Sequence, residues 1–330
     1  MLYMKRNITL CLLRIFIVSA LTAVQSCQMD LDISPDNSVL PITRLSEYNI
    51  YQGNPSDLIP NNDYKLYELN SQLFTDYAEK QRLIKLPLGA RMTAINNALL
   101  GFPEGTIIVK TFYYFKDKRN PSNGKKLIET RILELKNGKW LAGTYMWNDE
   151  QTEAFLINSG LDKTVNWVDE KGIGKVISYH IPGNLECRMC HNSNNEIVPI
   201  GPKTRNLNFE VMRNNVMQNQ LTHLINEGTL NSINPSSFTS MPNFNNQSGS
   251  LSGRGRAYLD INCSHCHNAN GVASKINYRM DFETDLGASK IREGKDRIKN
   301  RMMNGDMPKI GATVIDEEGV LLIKEYLETL

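Results

Sequence analysis

Apolar and polar positions alternate, or form short apolar runs, between residues 105 and 181, and this pattern predicts β-strands. Three such segments are rich in β-branched and aromatic residues: GTIIVKTFYYF (105–115), EAFLI (153–157) and KVISYHI (175–181). Between them, TRILELKNGKWLAGTYMW predicts two strands joined at Asn137-Gly138, a dipeptide typical of tight hairpin turns. We therefore expect a mostly antiparallel β domain over residues 46–180.

Beyond Pro182-Gly183 the strand pattern fades and helical spacing takes over. VMRNNVMQNQLTHLINEG (211–228) has apolar residues at helical intervals, and residues 229–250 have the Ser/Asn/Pro-rich composition of a linker. Residues 251–330 predict three helices, in SGRGRAYLDINC, KIREGKDRIKNRMMNG and DEEGVLLIKEYLETL. The sequence thus predicts a multidomain α+β protein, in which the β domain is followed by segment 181–250 and then by an all-α domain over 251–330.

The N-terminus has the pattern of an export signal. Lys5 and Arg6 precede a largely apolar stretch over residues 8–24, which favours a cleaved signal peptide over 1–26. VQSC resembles a bacterial lipobox, although Gln25 departs from the usual small residue, and it makes Cys27 the candidate lipid anchor of a lipoprotein. The other possibility is ordinary cleavage nearby, with Cys27 left as a free thiol. Residues 27–45 are polar and predict a tether.

Charge and hydropathy narrow the partners and the location. Removing residues 1–26 deletes three basic residues and no acid, so the net charge falls from +2 to +2 − 3 = −1. A nearly neutral chain lacks the excess positive charge that is typical of nucleic-acid-binding proteins. No second apolar run is long enough to span a bilayer. We expect an exported protein of the cell envelope, in the periplasm or at the outer membrane, that reaches the membrane through the lipid on Cys27.

Two C-x-x-C-H motifs carry the candidate chemistry. The first motif is Cys187, Cys190 and His191, in ECRMCHN, and the second is Cys263, Cys266 and His267, in NCSHCHN. In this spacing the two thiols attach covalently to a haem and the histidine becomes the first axial ligand of its iron. Because these motifs use four of the six cysteines, export serves haem attachment better than it serves disulfide formation. The sequence predicts two covalently bound haem c groups.

Zinc and thiol redox chemistry are the other uses of paired cysteines. Zinc ribbons usually have about 15–20 residues between their pairs, whereas 72 residues separate Cys190 from Cys263. Zinc also does not require a histidine directly after each pair. A thioredoxin-like site needs a βαβ setting, which neither motif has.

The sixth iron ligand of the second haem is predicted to be Met307. It follows His267 by 40 residues in a Gly-Asp-Met-Pro segment, where Pro308 ends any helix. The competing Met302 and Met303 lie on the preceding predicted helix, where methionine more often packs in a core. A helix, CxxCH, further helices, Met-Pro and a C-terminal helix over 251–330 resemble a class I cytochrome c domain.

The sixth ligand of the first haem stays open. The candidates are His180, Met212, Met217, His223 and Met241. Each has a simpler role as a strand-face, helix-core or solvated residue, and the position is equally compatible with water or with no ligand. Met189 and His265 lie inside the motif loops, so the geometry of each loop argues against them as ligands.

A wider resemblance covers residues 45–330. LFTDYAEKQRLIKLP, FPEGTIIVKTFYY, YMWNDEQTEA, IPGNLECRMCH, IGPKTRNLN and RGRAYLDINCSHCH occur in this order. Together they resemble an exported bacterial family of dihaem c-type cytochromes, found mainly as lipoproteins. The resemblance implies an N-terminal β domain, with the first motif at its exit, and a C-terminal cytochrome c-like domain; it implies no substrate.

Three functions follow from these patterns. The first is a single-electron carrier that exchanges electrons with a redox partner protein, a dehydrogenase or another cytochrome, and it needs no catalytic residue. The second is an enzyme, such as a dihaem peroxidase, with an open position at the first haem. The third is a module that docks a dehydrogenase through its β domain. We expect the non-catalytic electron carrier.

Overall fold

A computed structural model describes residues 40–308 and 310–330. The described residues belong to one compact unit. The predicted signal peptide, Cys27 and most of the predicted tether lie outside the described residues. Leu40 and Leu45, at the end of that tether, are buried against the sheet together with Val109 and Tyr145.

A six-stranded antiparallel sheet forms the main layer. Its strands follow chain order, each paired with the next. They are β1 (Lys65–Leu66), β2 (Glu79–Lys85), β3 (Ile107–Phe115), β4 (Lys125–Lys136), β5 (Lys139–Trp147) and β6 (Ala154–Ile157). The hairpin predicted at Asn137-Gly138 is confirmed, since both residues have positive φ, 54° and 72°, as a tight hairpin turn between twisted strands requires.

Two smaller hairpins flank this sheet. β7 (Leu161–Val168) pairs with β8 (Gly174–Ile181), and β9 (Asn192–Ser193) pairs with β10 (Glu196–Ile197). The sequence pattern indicated β8 and missed β7. In the second half of β7, alternate residues face inward: Val165 and Trp167 are buried in the same apolar cluster as Tyr114.

The helix predicted over 211–228 is wrong in its first half. That half forms a hairpin of β11 (Glu210–Arg213) and β12 (Val216–Asn219). Asn214 and Asn215 adopt positive φ, 50° and 61°, which asparagine tolerates better than most residues. Their turn therefore overrides the helical spacing. A short helix begins only at Gln220, where the Asn219 side chain accepts hydrogen bonds from the first backbone N–H groups.

The helices are few and mostly short. They are α1 (Asn184–Cys190), α2 (Thr204–Leu207), α3 (Gln220–Asn226), α4 (Leu251–Asn262), α5 (Leu286–Ser289), α6 (Ile291–Met303) and α7 (Glu317–Glu328). Single-turn 3-10 helices occupy Leu45–Tyr48, Pro55–Asp57, Pro121–Asn123 and Pro235–Ser237. The three helices predicted after residue 251 are confirmed as α4, α6 and α7.

The predicted fold class is wrong, because the C-terminal helices do not form a separate all-α, cytochrome c-like domain. Ile261 of α4 belongs to the same apolar core as Ile84 and Ile108 of the sheet. Asn262 Oδ1 accepts a hydrogen bond of 2.8 Å from the backbone N–H of Phe74. Because α4 shares a core and hydrogen bonds with the sheet, the described chain is a mostly antiparallel β protein with helices packed onto it.

A second set of contacts joins the C-terminal segment to the sheet region. The carboxylate of Asp76, which is almost fully buried, accepts hydrogen bonds from Thr313 N and Oγ1 at 2.7 and 2.9 Å and from Val314 N at 3.2 Å. This carboxylate satisfies three donors that the loop before α7 would otherwise leave without acceptors. The loop is thereby fixed against the entry to β2.

Candidate haem-attachment site

The first motif begins where β8 ends. Gly183 caps α1, and the Glu186 carboxylate accepts a hydrogen bond of 2.8 Å from Gly183 N. His180 holds that carboxylate, with Nε2 at 2.9 Å from Glu186 Oε1 and Nδ1 at 2.6 Å from Asp162 Oδ1. Hydrogen bonding to Asp162 and then to Glu186 raises the pKa of His180. Both ring nitrogens are therefore engaged, and His180 helps to position the motif.

Cys187 fastens the first motif to the sheet. Its thiol is buried, lies 3.5 Å from Thr144 Oγ1 on β5, and has a pKa raised by burial. His191 N donates a hydrogen bond of 2.9 Å to Cys187 O, which closes one helical turn over the motif. This turn brings Cys187, Cys190 and His191 together by local hydrogen bonding alone.

The His191 side chain is oriented for ligand binding through Nε2. Its Nδ1 lies 2.8 Å from Val198 O, a group that can only accept, so Nδ1 carries the proton. Nε2 makes no hydrogen bond to any described residue. Burial, followed by the charge of Lys110, lowers the pKa of His191 to about 3 and keeps the ring neutral. Metal-binding histidines commonly donate one ring N–H to a carbonyl in this way.

The second motif follows the C-terminal end of α4 and is closed by the corresponding backbone hydrogen bond. His267 N donates to Cys263 O at 2.9 Å, as His191 N does to Cys187 O. Burial raises the pKa of the Cys263 thiol to about 12. The Nδ1 atom of His267 is buried and has no hydrogen-bond partner among the described residues. The two motifs thus share this hydrogen bond, although the first lies in the short helix α1 and the second is a turn that follows the long helix α4.

The two motifs meet at their second cysteines. The ligand atoms of Cys190, His265 and Cys266 all lie within 4.8 Å of one another. Cys266 Sγ lies 3.8 Å from Met189 O, and Asn194 N donates to Asn270 O at 3.2 Å, so the segments around the motifs also touch. Hydrogen bonding by Cys266, followed by His265, lowers the pKa of Cys190 to about 4, which favours its thiolate.

Two ligand types fit these donors to different degrees. A thiophilic metal ion at Cys190, His265 and Cys266 would have three ligands, but it would leave the first cysteine and the terminal histidine of each motif unused. Covalent haem would use the two free thiols and the terminal histidine of each motif. The cavity beside His191 has a volume of about 40 Å³, which is smaller than a porphyrin, so haem attachment requires its lining to move apart.

The methionines predicted or considered as sixth iron ligands lie in different surroundings. Met307 is half-buried just after α6, where its N–H donates to Arg301 O at 3.2 Å, and its role as a ligand stays a prediction. Met302 is buried among α4, α6 and α7, which confirms its packing role, and Met303 is exposed. Met212 and Met217 are exposed on the β11–β12 hairpin instead of facing a helix core.

The remaining candidates for the first haem have ordinary surroundings. Met241 is fully buried, and its backbone N–H donates to Arg205 O at 2.8 Å. His223 is half-buried on α3, and burial lowers its pKa.

Sequence reasoning missed the basic residues that face His191 from the sheet. For Lys110 the sequence does contain a signal. It lies two residues from both Ile108 and Phe112, so in a strand it shares their inward-facing side of β3.

Comparison with protein-family models, with curated proteins and with solved structures finds no match to this chain. Within the described residues, no helix combines the length and the apolar character that a bilayer crossing needs.

Proposed function

We propose that the protein is a dihaem c-type cytochrome that carries single electrons in the cell envelope. One observation carries this proposal: in both CxxCH motifs the histidine N–H donates to the carbonyl of the first cysteine, which brings two free thiols and a histidine together. The Nδ1 bond of His191 to Val198 O supports it further, because it leaves Nε2 for iron. The family resemblance of the sequence implies the same function.

The chain's residues divide the task in a simple way. Haem, when attached, supplies an iron that gains and loses one electron. Cys187 and Cys190 would hold one haem, and Cys263 and Cys266 the other. His191 and His267 would each bind an iron, and Met307 would be a further ligand at the second site, where methionine raises the reduction potential. Because Cys190 and Cys266 are close neighbours, the two attachment points lie side by side, which suits passage of an electron from one haem to the other.

The location belongs to the same proposal. The export pattern over residues 1–26 would bring the chain to the compartment where haem attachment takes place, and Cys27 would carry the lipid that fixes it to a membrane. A dehydrogenase or another cytochrome would be the redox partner.

A haem count tests the proposal. The mature chain, produced together with a cytochrome c maturation system, is expected to contain two covalent haems, measured by haem-stained gel and pyridine haemochrome assay. Zinc content, measured on the same sample, serves as the control. Stoichiometric zinc without covalent haem would overturn the proposal in favour of a structural metal site at Cys190, His265 and Cys266.

A second candidate function is a dihaem peroxidase-like enzyme. The observation that favours it is the lining of the cavity beside His191, which contains neither a methionine nor a second histidine. Such a lining suits a first haem with a position open to substrate. Under this function the reduced protein turns over hydrogen peroxide, and His191→Ala abolishes turnover while the haem at the second motif stays attached. A haem-loaded protein without peroxide turnover would exclude it.

A further inference from the structure

Three basic residues form a row across the sheet on the side that faces the first motif. Arg82 of β2 is the register partner of Lys110 of β3, and Lys110 is the register partner of Arg131 of β4. Register partners point to the same face of a sheet. The next residue in this line is Thr144 of β5, which contacts Cys187. We call Arg82, Lys110 and Arg131 the basic row.

The basic row has more positive charge than nearby negative charge. Arg131 is paired, because its guanidinium donates to both oxygens of the buried Glu129 carboxylate, at 2.9 and 2.5 Å. Arg82 is 4 % exposed, and its Nη1 donates at 3.1 Å to Gln72 Oε1, a neutral acceptor. Lys110 has no hydrogen bond or ion pair with any described residue, and its Nζ lies 5.0 Å from the centre of the Phe112 ring. Glu68 also acts on Arg82 through its charge, but neither Arg82 nor Lys110 has a hydrogen-bonded anionic partner among the described residues.

This arrangement has an energetic cost in the absence of a ligand. Like charges directly opposite each other on neighbouring strands are destabilising, and a buried cation without a partner is costly. Burial, followed by the charges of Arg131 and Arg82, lowers the pKa of Lys110 well below its usual value. The same sheet face carries Lys80, whose pKa burial lowers to about 7. An anion would offset all of these effects.

The row faces the same space as the first motif. The cavity of about 40 Å³ is lined by all three row residues and by Cys187 and His191. Its size suits a few water molecules or a small anionic group. A ligand on the basic row would therefore lie beside the group attached at the first motif.

We propose that the basic row is an anion-binding site that takes a carboxylate or a small inorganic oxyanion next to the first motif. Two sources supply this chemistry. One is the carboxylate side chains of a haem attached at Cys187 and Cys190, and this source rests on the proposed function. The other is a free oxyanion from solution, which requires no haem. In both cases Arg82 and Lys110 supply the positive charge.

Thermal unfolding of the haem-free full chain tests the site, with phosphate as the probe and chloride at equal ionic strength as the reference. Phosphate is expected to raise the Tm of the wild type by several degrees, and Arg82→Gln and Lys110→Met are each expected to abolish this rise. The matched control is Lys85→Gln. Lys85 lies on the same strand as Arg82 but is paired with Asp63 at 3.1 Å, so this variant should keep the full rise of Tm with phosphate. In chloride, Lys110→Met should melt above the wild type, because it removes a like charge from the row.

The haem-loaded protein separates the two sources. If the haem carboxylates occupy the row, phosphate no longer changes the Tm of the loaded wild type, and Lys110→Met lowers the reduction potential of one haem. If a free oxyanion is the ligand, the phosphate response persists after loading. The absence of any phosphate response in the haem-free chain, together with unchanged potentials in the loaded variants, would overturn the site. The haem count is read separately, so this failure is distinct from failure of the proposed function.

Discussion

Replacing Asp260 with alanine is expected to lower the free energy of unfolding by about 3–5 kcal/mol, the usual loss when one partner of a buried ion pair is removed. The Asp260 side chain is almost fully buried on α4. Its carboxylate accepts from Lys203 Nζ at 2.7 Å and from Phe282 N at 2.9 Å. The variant leaves the Lys203 ammonium, whose side chain is 21 % exposed, and the backbone N–H of Phe282 without their principal acceptor.

Urea unfolding at neutral pH measures this loss, and Glu293→Ala is the control. Glu293 pairs with Lys290 at 3.1 Å, but both side chains are about half exposed, 56 % and 46 %, so its removal should cost less than about 1 kcal/mol. Equal losses in the two variants would contradict the assignment of Asp260 as the principal partner.

The same pair predicts a pH dependence. Despite the opposing effect of burial, the Asp260 and Glu283 carboxylates raise the pKa of Lys203 above its usual value. A raised folded-state pKa gives stability that is complete below the unfolded pKa of about 10.4 and is lost as pH rises through the folded value. The difference between wild type and Asp260→Ala should therefore be constant from pH 7 to 9 and shrink in strongly alkaline solution.

Local interactions explain which parts of the fold the sequence predicts. The β4–β5 hairpin depends on Asn137-Gly138, and the conformational preference of these two residues is readable from the sequence. The hairpin at Asn214-Asn215 depends on the same physics, but its flanking residues also match helical spacing, and the turn prevailed. The independence of the C-terminal helices could not be judged from sequence, because it depends on contacts such as Asn262 to Phe74 between residues far apart in the chain.

The candidate site divides in the same way. Each CxxCH turn is local, so its spacing alone predicts that two thiols and a histidine lie together. The approach of Cys190 to Cys266 joins residues 76 positions apart and is set by the packing of α4 against the sheet. The engagement of His180 by Asp162 and Glu186 and the alignment of the basic row likewise depend on strand register, which no single segment encodes.

Replacing Cys187 with serine is expected to lower the covalent haem content from two per chain towards one, because the first motif loses an attachment point. Serine nearly conserves the volume of cysteine and retains a hydroxyl for the contact with Thr144, so the fold should persist. Pyridine haemochrome assay and mass spectrometry measure the loss. His265→Ala is the matched control, since His265 lies beside Cys190 and Cys266 but is not one of the residues that the CxxCH spacing assigns to haem attachment, and it should retain both haems.

These two variants also separate haem from a structural metal, because each hypothesis depends on a different residue. A metal ion bound by Cys190, His265 and Cys266 would be lost in His265→Ala and kept in Cys187→Ser, the reverse of the haem result. Metal analysis of both variants, produced without the maturation system, completes the comparison. Zinc that is lost in His265→Ala and kept in Cys187→Ser, with no haem on any variant, would contradict the cytochrome proposal. A haem content that falls in Cys187→Ser and is unchanged in His265→Ala would support it, because only haem attachment requires the first cysteine of each pair.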